Sequence, residues 1–356
     1  MNEQSFGTAF YAQILRRGKM KVFIIGGTGL LGSQAAEELI KRGHSVSSIA
    51  LPPLPEGAGL PKEMKVSFGN YMEMSDEALL SYFDGCEGFV FAAGVDERIE
   101  RPPSIYQFFK KYNVDTVKRL LGLAKKAGVK HAVILGSYFS YFAKEKPEME
   151  LTKWHPYIRS RMEQEKEAFK FADGDFNVAI LELPYIFGTQ AGRKPVWTFL
   201  VENLLGMKRI TFYPKGGTTM LTVKQVGQAI AGALEKNQGA NAYPIGYYNM
   251  EWKEMIAIFN KYIGREKNKI ITIPKFLYRM SMKKIMKEQR ENNIEGGLHM
   301  VKFTDLQCAN LFIDKSLGCD FLGVTEDDIE QAIGQSAQLC IDIITNKKEV
   351  VEMKAE

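Results

Sequence analysis

Four side chains in the middle of the sequence have the types and the spacing of an acid/base site. Tyr157 and Arg161 are four residues apart, so on a helix they share one face. Ser137 follows the apolar segment Ala132–Leu135, and Asn113 lies on the helix predicted before it. A phenol beside a fixed cation can take the proton of an alcohol while a hydride leaves the same carbon. These residues therefore predict chemistry on a secondary alcohol or a ketone.

The tyrosine needs help to act as a base at neutral pH. Its ordinary pKa is ~10, and lowering that value toward 7 requires roughly 4 kcal/mol of preference for the phenolate. The charge of Arg161 and that of an oxidised, positively charged cofactor can supply this preference. Ser137 is then predicted to hold the substrate oxygen, and Asn113 to position a proton-relay water.

A glycine-rich turn near the N-terminus offers the place for such a cofactor. The apolar run Val22–Ile25 leads into this turn, and the amphipathic stretch Ser33–Arg42 follows it. A strand, a glycine turn and a helix in this order bind a dinucleotide pyrophosphate through the free N–H groups of the first helical turn. Gly26 permits the tight turn, Gly29 lets the backbone approach the ligand, and Gly32 lets helix and strand pack closely. The predicted cofactor contacts in this segment are Gly26, Thr28, Gly29, Leu30, Leu31 and Gly32.

The second predicted strand leaves the choice between NAD and NADP open. It ends in Ile49-Ala50-Leu51, without an acidic residue for the ribose hydroxyls or an arginine for a 2′-phosphate. Asn70, after the third predicted strand, can accept and donate and is predicted to meet the adenine; a plain turn asparagine is the alternative. The predicted cofactor is therefore NAD or NADP.

The composition limits the class of partner. The 356 residues are 45% hydrophobic and 25% charged, and the net charge is only +5 with both signs interspersed. We therefore predict a small-molecule substrate and no nucleic-acid partner. The 4 cysteines are far apart and the 4 histidines are isolated, which argues against a metal site and for a reducing, cytoplasmic location. No apolar run reaches the roughly 18 residues of a membrane span, so no integral membrane segment is expected.

Apolar runs alternate with amphipathic stretches through the first two-thirds of the chain. This alternation predicts an α/β fold of the Rossmann type, a doubly wound parallel sheet with its ligand crevice at the carboxyl ends of the strands. The predicted strands are Val22–Ile25, Val46–Leu51, Lys65–Phe68, Gly88–Ala93, Ala132–Leu135 and Asn177–Leu183. The predicted helices between them are Ser33–Arg42, Asp76–Phe83 and two longer ones, near Ile105–Ala127 and Tyr157–Ala172.

The alternation loosens after about residue 190, where a smaller C-terminal lobe is predicted. We divide the chain into an N-terminal extension (1–19), an NAD(P)-binding Rossmann domain (20–190) and a mainly substrate-binding lobe (191–356) interleaved with the last sheet strands. Tyr278–Arg290 is basic and rich in methionine and is predicted to be helical. A substrate lid, a membrane-surface contact and a solvated helix with a Met-lined inner face are the roles that fit it. The lobe's other predicted elements are helices at 195–206, 223–236, 252–263 and 326–345 and strands at Ile210–Phe212 and Ile270–Ile273.

The motifs resemble the short-chain dehydrogenase/reductase superfamily, in its extended branch of NAD-dependent epimerases and dehydratases. The resemblance spans about residues 20 to 340. It implies a Rossmann core, a bound nicotinamide cofactor, a smaller lobe that closes over the substrate, and a homodimer formed by the two long helices. The motifs are Gly26–Gly32, Phe91–Gly94, Tyr112–Val114, Leu135–Ser137, Pro156–Arg161, Leu183–Gly188, Met220–Val226 and Asp314–Gly318. The resemblance adds as cofactor contacts Ala92, Ala93, Gly94, Tyr157, Arg161, Pro184 and Ile186.

One catalytic position departs from the family pattern. Ser137 and Tyr157 match the catalytic serine and tyrosine, and Asn113 matches the helix asparagine. Arg161 stands where the family has a lysine, which lowers the pKa of the tyrosine and holds the nicotinamide ribose. Arginine keeps the charge but is planar and bulkier. We expect Arg161 to retain the role, its fork bridging two ribose hydroxyls; a cofactor-binding protein with feeble redox activity is the alternative.

The substrate side departs from the members that handle nucleotide sugars. These members place an arginine before the late Val-x-x-Val landmark, and Gly216–Leu221 contains none. Lys208, Arg209 and Lys215 are nearby and either substitute for it or are solvated loop charges. Large aromatic residues at strand ends favour an apolar or ring-bearing substrate, unless they only pack the core. The predicted substrate contacts are Tyr138, Phe139 and Tyr185.

Together these features predict an NAD(P)-dependent oxidoreductase that transfers a hydride to or from a secondary alcohol or ketone of a small substrate. A nucleotide-sugar epimerase or dehydratase, which uses the same hydride step internally, is the first alternative. A non-catalytic NAD(P)-binding sensor is the second.

Overall fold

The computed structural model describes residues 18–54, 57–347 and 350, so most of the predicted N-terminal extension lies outside the described residues. Within these ranges the strands are β1 Lys21–Ile25, β2 Ser45–Ala50, β3 Lys65–Phe68, β4 Gly88–Phe91, β5 Glu100–Arg101, β6 His131–Leu135, β7 Asn177–Glu182, β8 Tyr185–Phe187, β9 Ile210–Pro214, β10 Gly217–Thr222, β11 Ala240–Pro244, β12 Tyr248–Glu251, β13 Lys269–Ile273, β14 Glu295–Gly296 and β15 Asn310–Leu311. The α-helices are Leu30–Lys41, Asp76–Phe83, Ile105–Phe109, Thr116–Lys126, Tyr138–Glu145, Leu151–Trp154, Pro156–Phe169, Thr198–Gly206, Val223–Lys236, Trp252–Tyr262, Lys275–Glu291, Met300–Gln307, Cys319–Leu322 and Ile329–Ile344, with a π-helix at Lys110–Asp115 and 3₁₀ turns at Pro147–Met149 and Lys315–Leu317.

Seven strands form one parallel sheet in the order β11-β7-β6-β4-β1-β2-β3. The side chains of β1 alternate between its two faces, because successive residues of a strand point in opposite directions. Val22 and Ile24 pack in one hydrophobic layer, whereas Phe23 and Ile25 pack in the other, and all four are fully buried. The predicted Rossmann-type, doubly wound sheet is confirmed.

Helices cover both faces of this sheet. Leu30–Lys41 and Val223–Lys236 pack together over the layer that contains Val22. Asp76–Phe83, Thr116–Lys126 and Pro156–Phe169 supply side chains to the opposite layer. Each fully buried large apolar side chain contributes ~1.5–3 kcal/mol, so the two layers hold the carboxyl ends of the strands in fixed positions.

The chain after β7 adds one more strand to the main sheet, and its other strands form smaller separate sheets. β11 pairs with β7 at the sheet edge, while β10 pairs with β8, β12 and β15 in a separate sheet.

The sequence patterns did not predict β10, β11 or β12. β10 is buried throughout, so its threonine-rich sequence shows no alternation. The predicted strands near 210 and 270 exist as β9 and β13 and pair with each other. The domain boundary near residue 190 stays a prediction.

Two features around the crevice differ from the predicted pattern. The long helix predicted from Ile105 contains the π-helical segment Lys110–Asp115, and such insertions are frequent at functional sites. The residues after Ser137 form the helix Tyr138–Glu145.

In the described part of the chain, no helix is long and apolar enough to cross a bilayer. Among the described residues there is also no group of three His, Cys, Asp or Glu side chains that could hold a metal.

Candidate active site

The glycine turn is tight because its glycines leave no room for side chains. Gly26 has a φ of +88°, and a Cβ there would lie 2.8 Å from the carbonyl carbon of Ala92. A Cβ on Gly32 would collide with the carbonyl oxygen of Gly26. The helix Leu30–Lys41 therefore starts directly against the end of β1. Its N-cap, Gly29, has no side chain to satisfy the first N–H groups, which remain available to an anion.

Two side chains from a distant segment reach the same turn. Gln190 Nε2 donates to the carbonyl of Thr28 at 3.1 Å, and Arg193 Nη2 donates to the same oxygen at 3.0 Å. The Nε of Arg193 is buried without a partner among the described residues, and burial lowers the pKa of this guanidinium. A buried cation is stabilised by a counter-charge. The turn with Arg193 therefore fits the pyrophosphate of a dinucleotide. Neither residue was predicted to contact the cofactor, because no sequence motif contains them.

The remaining predicted cofactor contacts lie at the carboxyl ends of the strands. Leu30 and Leu31 open the helix after the turn. Asn70 closes a turn, since its Oδ1 accepts from the N–H of Met72 at 3.0 Å, which favours the turn asparagine over the adenine contact. The others follow strands or lie in the short β8: Ala92, Ala93 and Gly94 after β4, Pro184 after β7, and Ile186 in β8.

Ser137 and Tyr157 are held by different elements. Ser137 lies just beyond β6, and its Oγ accepts from the N–H of Phe139 at 3.4 Å as the N-cap of the following helix. Tyr157 is in the first turn of the helix Pro156–Phe169, and its backbone N–H donates to Gly297 at 3.0 Å. Both side chains are buried, with 5% and 3% exposed. The tertiary structure thus brings the two predicted hydroxyls together.

The electrostatic surroundings of Tyr157 act in opposite directions. Burial raises the pKa of Tyr157 most strongly, and the charge of Arg161 is the largest opposing influence. Glu97 raises this pKa further, while hydrogen bonds from Ser137 and Arg161 lower it. The net direction is upward. The cation therefore offsets part of the cost of burying a phenolate, and a second positive charge is needed to bring the group to neutral pH.

Arg161 is anchored to the protein by its outer nitrogens. It donates to the carbonyls of Leu135 and Val95, each at 3.2 Å, and to Gln164 Oε1 at 3.0 Å. Its Nε has no partner among the described residues. The guanidinium thus bridges the end of β6 and the loop after β4. A lysine ammonium lacks the planar fork that makes these bonds. Its predicted contact with the nicotinamide ribose stays a prediction.

Asn113 is committed to the same backbone segment. Its Oδ1 accepts from the N–H of Val95 at 3.0 Å, and its Nδ2 donates to the carbonyl of Val95 at 3.1 Å. Gln164 Nε2 donates to the Asn113 carbonyl at 2.7 Å and so connects it to Arg161. Asn113 is fully buried in the π-helical segment. The arrangement makes Asn113 a clamp on the loop after β4; its predicted role in positioning a water stays a prediction.

The predicted substrate residues are part of an aromatic cluster. The hydroxyl of Tyr138 lies 3.1 Å from Thr218 Oγ1, and its ring centroid is 4.7 Å from that of Phe139. Both are almost fully buried, with 3% and 4% exposed, so they pack the floor of the crevice. Tyr185 is half-buried and stacks on Trp197 at 5.4 Å. Tyr185 is therefore the predicted contact that remains most open to a substrate.

A carboxyl group also faces this cluster. Glu97 lies on the loop after β4, and its charge raises the pKa of Tyr138, Tyr157 and Tyr185. Burial and Asp96 raise the pKa of Glu97 itself, against the charge of Arg98 and Arg161. No role was predicted for Glu97, because a loop carboxylate carries no periodic signal. The crevice therefore contains a second ionisable group near the phenol.

Comparison with solved structures extends the fold assignment. A protein named gox2253 matches with a TM-score of 0.69 at 16% identity, over 94% of this chain and 100% of that one. MoeE5, solved with UDP-glucuronic acid and NAD, matches with a TM-score of 0.60 at 17% identity, over 92% and 100%. The UDP-N-acetylglucosamine 4-epimerase of Methanobrevibacter ruminantium matches with 0.63 at 14%, over 92% and 100%. At these identities the likeness shows the fold alone.

Comparison at the level of sequence gives the family. No curated protein matches the chain. The sequence model of the NAD-dependent epimerase/dehydratase family matches residues 22–246. This range contains the glycine turn, Ser137, Tyr157 and Arg161. This range covers more than half of the sequence. The chain therefore belongs to the NAD-dependent epimerase/dehydratase family, which confirms the predicted family, its nicotinamide cofactor and its assignment as an enzyme.

Proposed function

We propose that the chain is an NAD-dependent epimerase or dehydratase that oxidises a secondary alcohol of a nucleotide-linked sugar and then returns the hydride. The observation that carries the proposal is the meeting of Tyr157, Ser137 and Arg161 beside the turn that ends β1. The guanidinium carbon of Arg161 lies 5.1 Å from the ring centroid of Tyr157, and Ser137 is placed to hydrogen-bond the phenol. A buried base, a hydroxyl donor and a fixed cation are the groups that the proton step needs.

In this proposal the phenolic oxygen of Tyr157 takes the proton of the substrate alcohol. The hydroxyl of Ser137 donates to the same substrate oxygen and holds it in place. Arg161 stabilises the phenolate by its charge while it stays bound to the loops after β4 and β6. NAD, when bound, accepts the hydride and contributes its own positive charge to the site.

The cofactor would be held mainly by groups at the glycine turn. The first helical N–H groups at Leu30 and Leu31, together with Arg193, offer donors to the pyrophosphate. Ala92 and Gly94 follow β4, and a Cβ on Gly94 would lie 3.9 Å from Nη1 of Arg161, which contacts Tyr157. We infer NAD rather than NADP because the family is NAD-dependent and β2 ends without an arginine.

Similar structures support a nucleotide-sugar substrate. MoeE5 was solved with UDP-glucuronic acid, WbmG of Bordetella bronchiseptica with NAD and UDP, and a third relative is a UDP-sugar 4-epimerase. These proteins favour the epimerase or dehydratase over the net dehydrogenase that was our first expectation. The half-buried Tyr185 can stack on a sugar or base ring.

One observation favours a net dehydrogenase as the second candidate. The stretch Gly216–Leu221 contains no arginine for a diphosphate, and Thr218 is fully buried against Tyr138. Lys208, Arg209 and Lys215 are exposed and would have to move to reach a diphosphate. A smaller apolar alcohol would not need such a contact.

The remaining features complete the proposal. We place the substrate lobe after residue 190 and the enzyme in the cytoplasm. We also propose a homodimer formed by the helical segment from Ile105 to Lys126 and the helix Pro156–Phe169. Light scattering coupled to size exclusion tests the dimer directly, and a monomer across the accessible concentration range would contradict it.

The reaction is tested with UDP-sugars that carry deuterium at the carbon to be oxidised. An epimerase returns the label to its product and releases no NADH; a dehydratase also leaves net NADH at zero. Tyr157→Phe should lower the rate by about 10²–10⁴. Net NADH formation with simple secondary alcohols, and none of the internal reaction, would assign the second candidate. NAD binding without turnover of either the UDP-sugars or the simple secondary alcohols would assign the sensor and refute the proposal.

A further inference from the structure

A surface of the C-terminal part combines exposed apolar side chains with an excess of positive charge. Among the described residues, five large apolar side chains that are at least 40% exposed lie on β9 and on the helix Lys275–Glu291. These two elements adjoin, because β9 pairs with β13 and Pro274 after β13 caps the helix. We call these side chains the apolar patch: Ile210 (40%), Phe212 (47%), Phe276 (65%), Leu277 (45%) and Met280 (62%).

The helix Lys275–Glu291 is amphipathic, with one buried side and one exposed side that carries apolar residues. Its inner stripe includes Met282 and Gln289, which are buried. Its outer stripe includes Phe276 and Met280 and continues into lysines, at the three- and four-residue spacing of one helix face. On β9, Ile210 and Phe212 are exposed while the intervening Thr211 is fully buried. Both elements therefore turn apolar side chains outward.

The charge of this region exceeds that of the whole protein. Residues 267–291 contain eight basic and two acidic residues, a net charge of +6, against +5 for the entire chain. Lys275 and Arg279 pair with Asp305, and Lys284 and Lys287 form long surface pairs with Glu288 and Glu291, at 3.7 and 3.6 Å. The exposed lysines that follow the patch along the helix are Lys283, Lys284 and Lys287.

We propose that this face docks onto the surface of an anionic lipid bilayer. Phe276, Leu277 and Met280 would enter the interface while the lysines bind the headgroups, as on helices that lie in the plane of a membrane. A second copy of the chain is disfavoured as the occupant, because two faces of net charge +6 would repel each other. A nucleic acid would bind the lysines but would leave Ile210 and Met280 in water. The proposal does not depend on the reaction of the crevice.

The proposal is tested by sedimentation of the full-length protein with lipid vesicles. Vesicles of phosphatidylcholine alone are compared with vesicles of equal parts phosphatidylcholine and phosphatidylglycerol, in buffer of about 0.1 M ionic strength. We expect at least about tenfold stronger partition onto the anionic vesicles. Phe276→Ser/Met280→Ser and Lys283→Glu/Lys284→Glu/Lys287→Glu should each reduce this partition by about tenfold or more.

Matched controls separate the patch from a general charge effect. Lys19→Glu/Lys62→Glu/Lys130→Glu makes the same charge change at exposed sites elsewhere, and Phe199→Ser removes another half-exposed ring. Both controls should keep most of the binding, and thermal melting of each variant checks its fold. Equal binding to both vesicle types, absence of binding, or an equal loss in the controls would overturn the proposal. A dimer that Phe276→Ser/Met280→Ser abolishes, without vesicle binding, would assign the patch to self-association instead.

Discussion

Arg161 lies against the face of Tyr157, with its guanidinium carbon 5.1 Å from the ring centroid, while its nitrogens are bound to the backbone. It reaches the carbonyl of Leu135, at the end of β6, and that of Val95, in the loop after the neighbouring strand β4. The arginine therefore does two things at once. It supplies the charge beside the phenol, and it connects the end of β6 to the loop after β4.

Arg161→Lys should lower both activity and stability. Lysine keeps the charge but lacks the planar fork, so the bonds to Leu135, Val95 and Gln164 cannot all be kept. A lost hydrogen bond to a charged group costs ~1.5–3 kcal/mol. We expect a lower melting temperature and about a tenfold lower kcat, measured by calorimetry and by product formation. Arg159→Lys, on the exposed side of the same helix, should change neither. A faster Arg161→Lys enzyme would show that the site works better with a lysine and that Arg161 is an impaired replacement for it.

Glu97→Gln should move the alkaline activation of the enzyme to lower pH. The charge of Glu97 raises the pKa of Tyr157, so its removal lowers that pKa. The phenol acts as a base only when ionised, and the rising limb of kcat/KM against pH should shift down by roughly 0.5–1 unit. Glu148→Gln removes the same charge from an exposed carboxyl elsewhere on the protein and should leave the limb in place. An unshifted limb in Glu97→Gln would exclude Glu97 from the electrostatics of the site.

Glu182 should make the stability of the protein decrease with pH. Burial and the neighbouring Glu165 raise the pKa of Glu182 to about 8, and the charge and hydrogen bond of Lys144 oppose the rise. The folded state then binds more protons than the unfolded state between about pH 4.5 and pH 8. The stabilisation is complete below this window and is lost as pH rises through it.

Denaturant unfolding across this pH range tests the role of Glu182. The wild-type free energy of unfolding should fall by an amount on the order of a few kcal/mol. Glu182→Gln, which cannot ionise, should show a flatter profile. Glu150→Gln changes an exposed carboxyl that is paired with Lys153 and should retain the wild-type slope. Parallel profiles for wild type and Glu182→Gln would contradict the assignment.

Gly32→Ala should weaken cofactor binding at the turn. A Cβ at this position collides with the carbonyl oxygen of Gly26, so the helix must move away from β1. We expect at least about a tenfold rise in the dissociation constant of NADH, measured by its fluorescence, because the first-turn N–H groups are displaced. Gly122→Ala is the matched control, since the nearest atom to a Cβ there is 3.6 Å away. That variant should bind normally and be more stable by ~0.5–1 kcal/mol.

Much of the central fold could be predicted because its signals are local. β3 and the helix Asp76–Phe83 have the predicted bounds, since apolar runs and caps are read within a few residues. β10 and β12 could not be predicted in this way. β10 is buried throughout by strands and helices far along the chain, and β12 alternates over four residues only, which is too short a run to identify a strand.

The same distinction applies to the site. The sequence by itself determined the glycine turn and the presence of Ser137, Tyr157 and Arg161, because these depend on residue type and short spacing. Only the tertiary structure decided what Arg161 binds, since its carbonyl partners at Leu135 and Val95 are 26 and 66 residues away. It also brought Arg193 to the turn at Thr28, across 165 residues. Buried polar groups must find partners wherever the packed chain places them, and that choice is not written in local pattern.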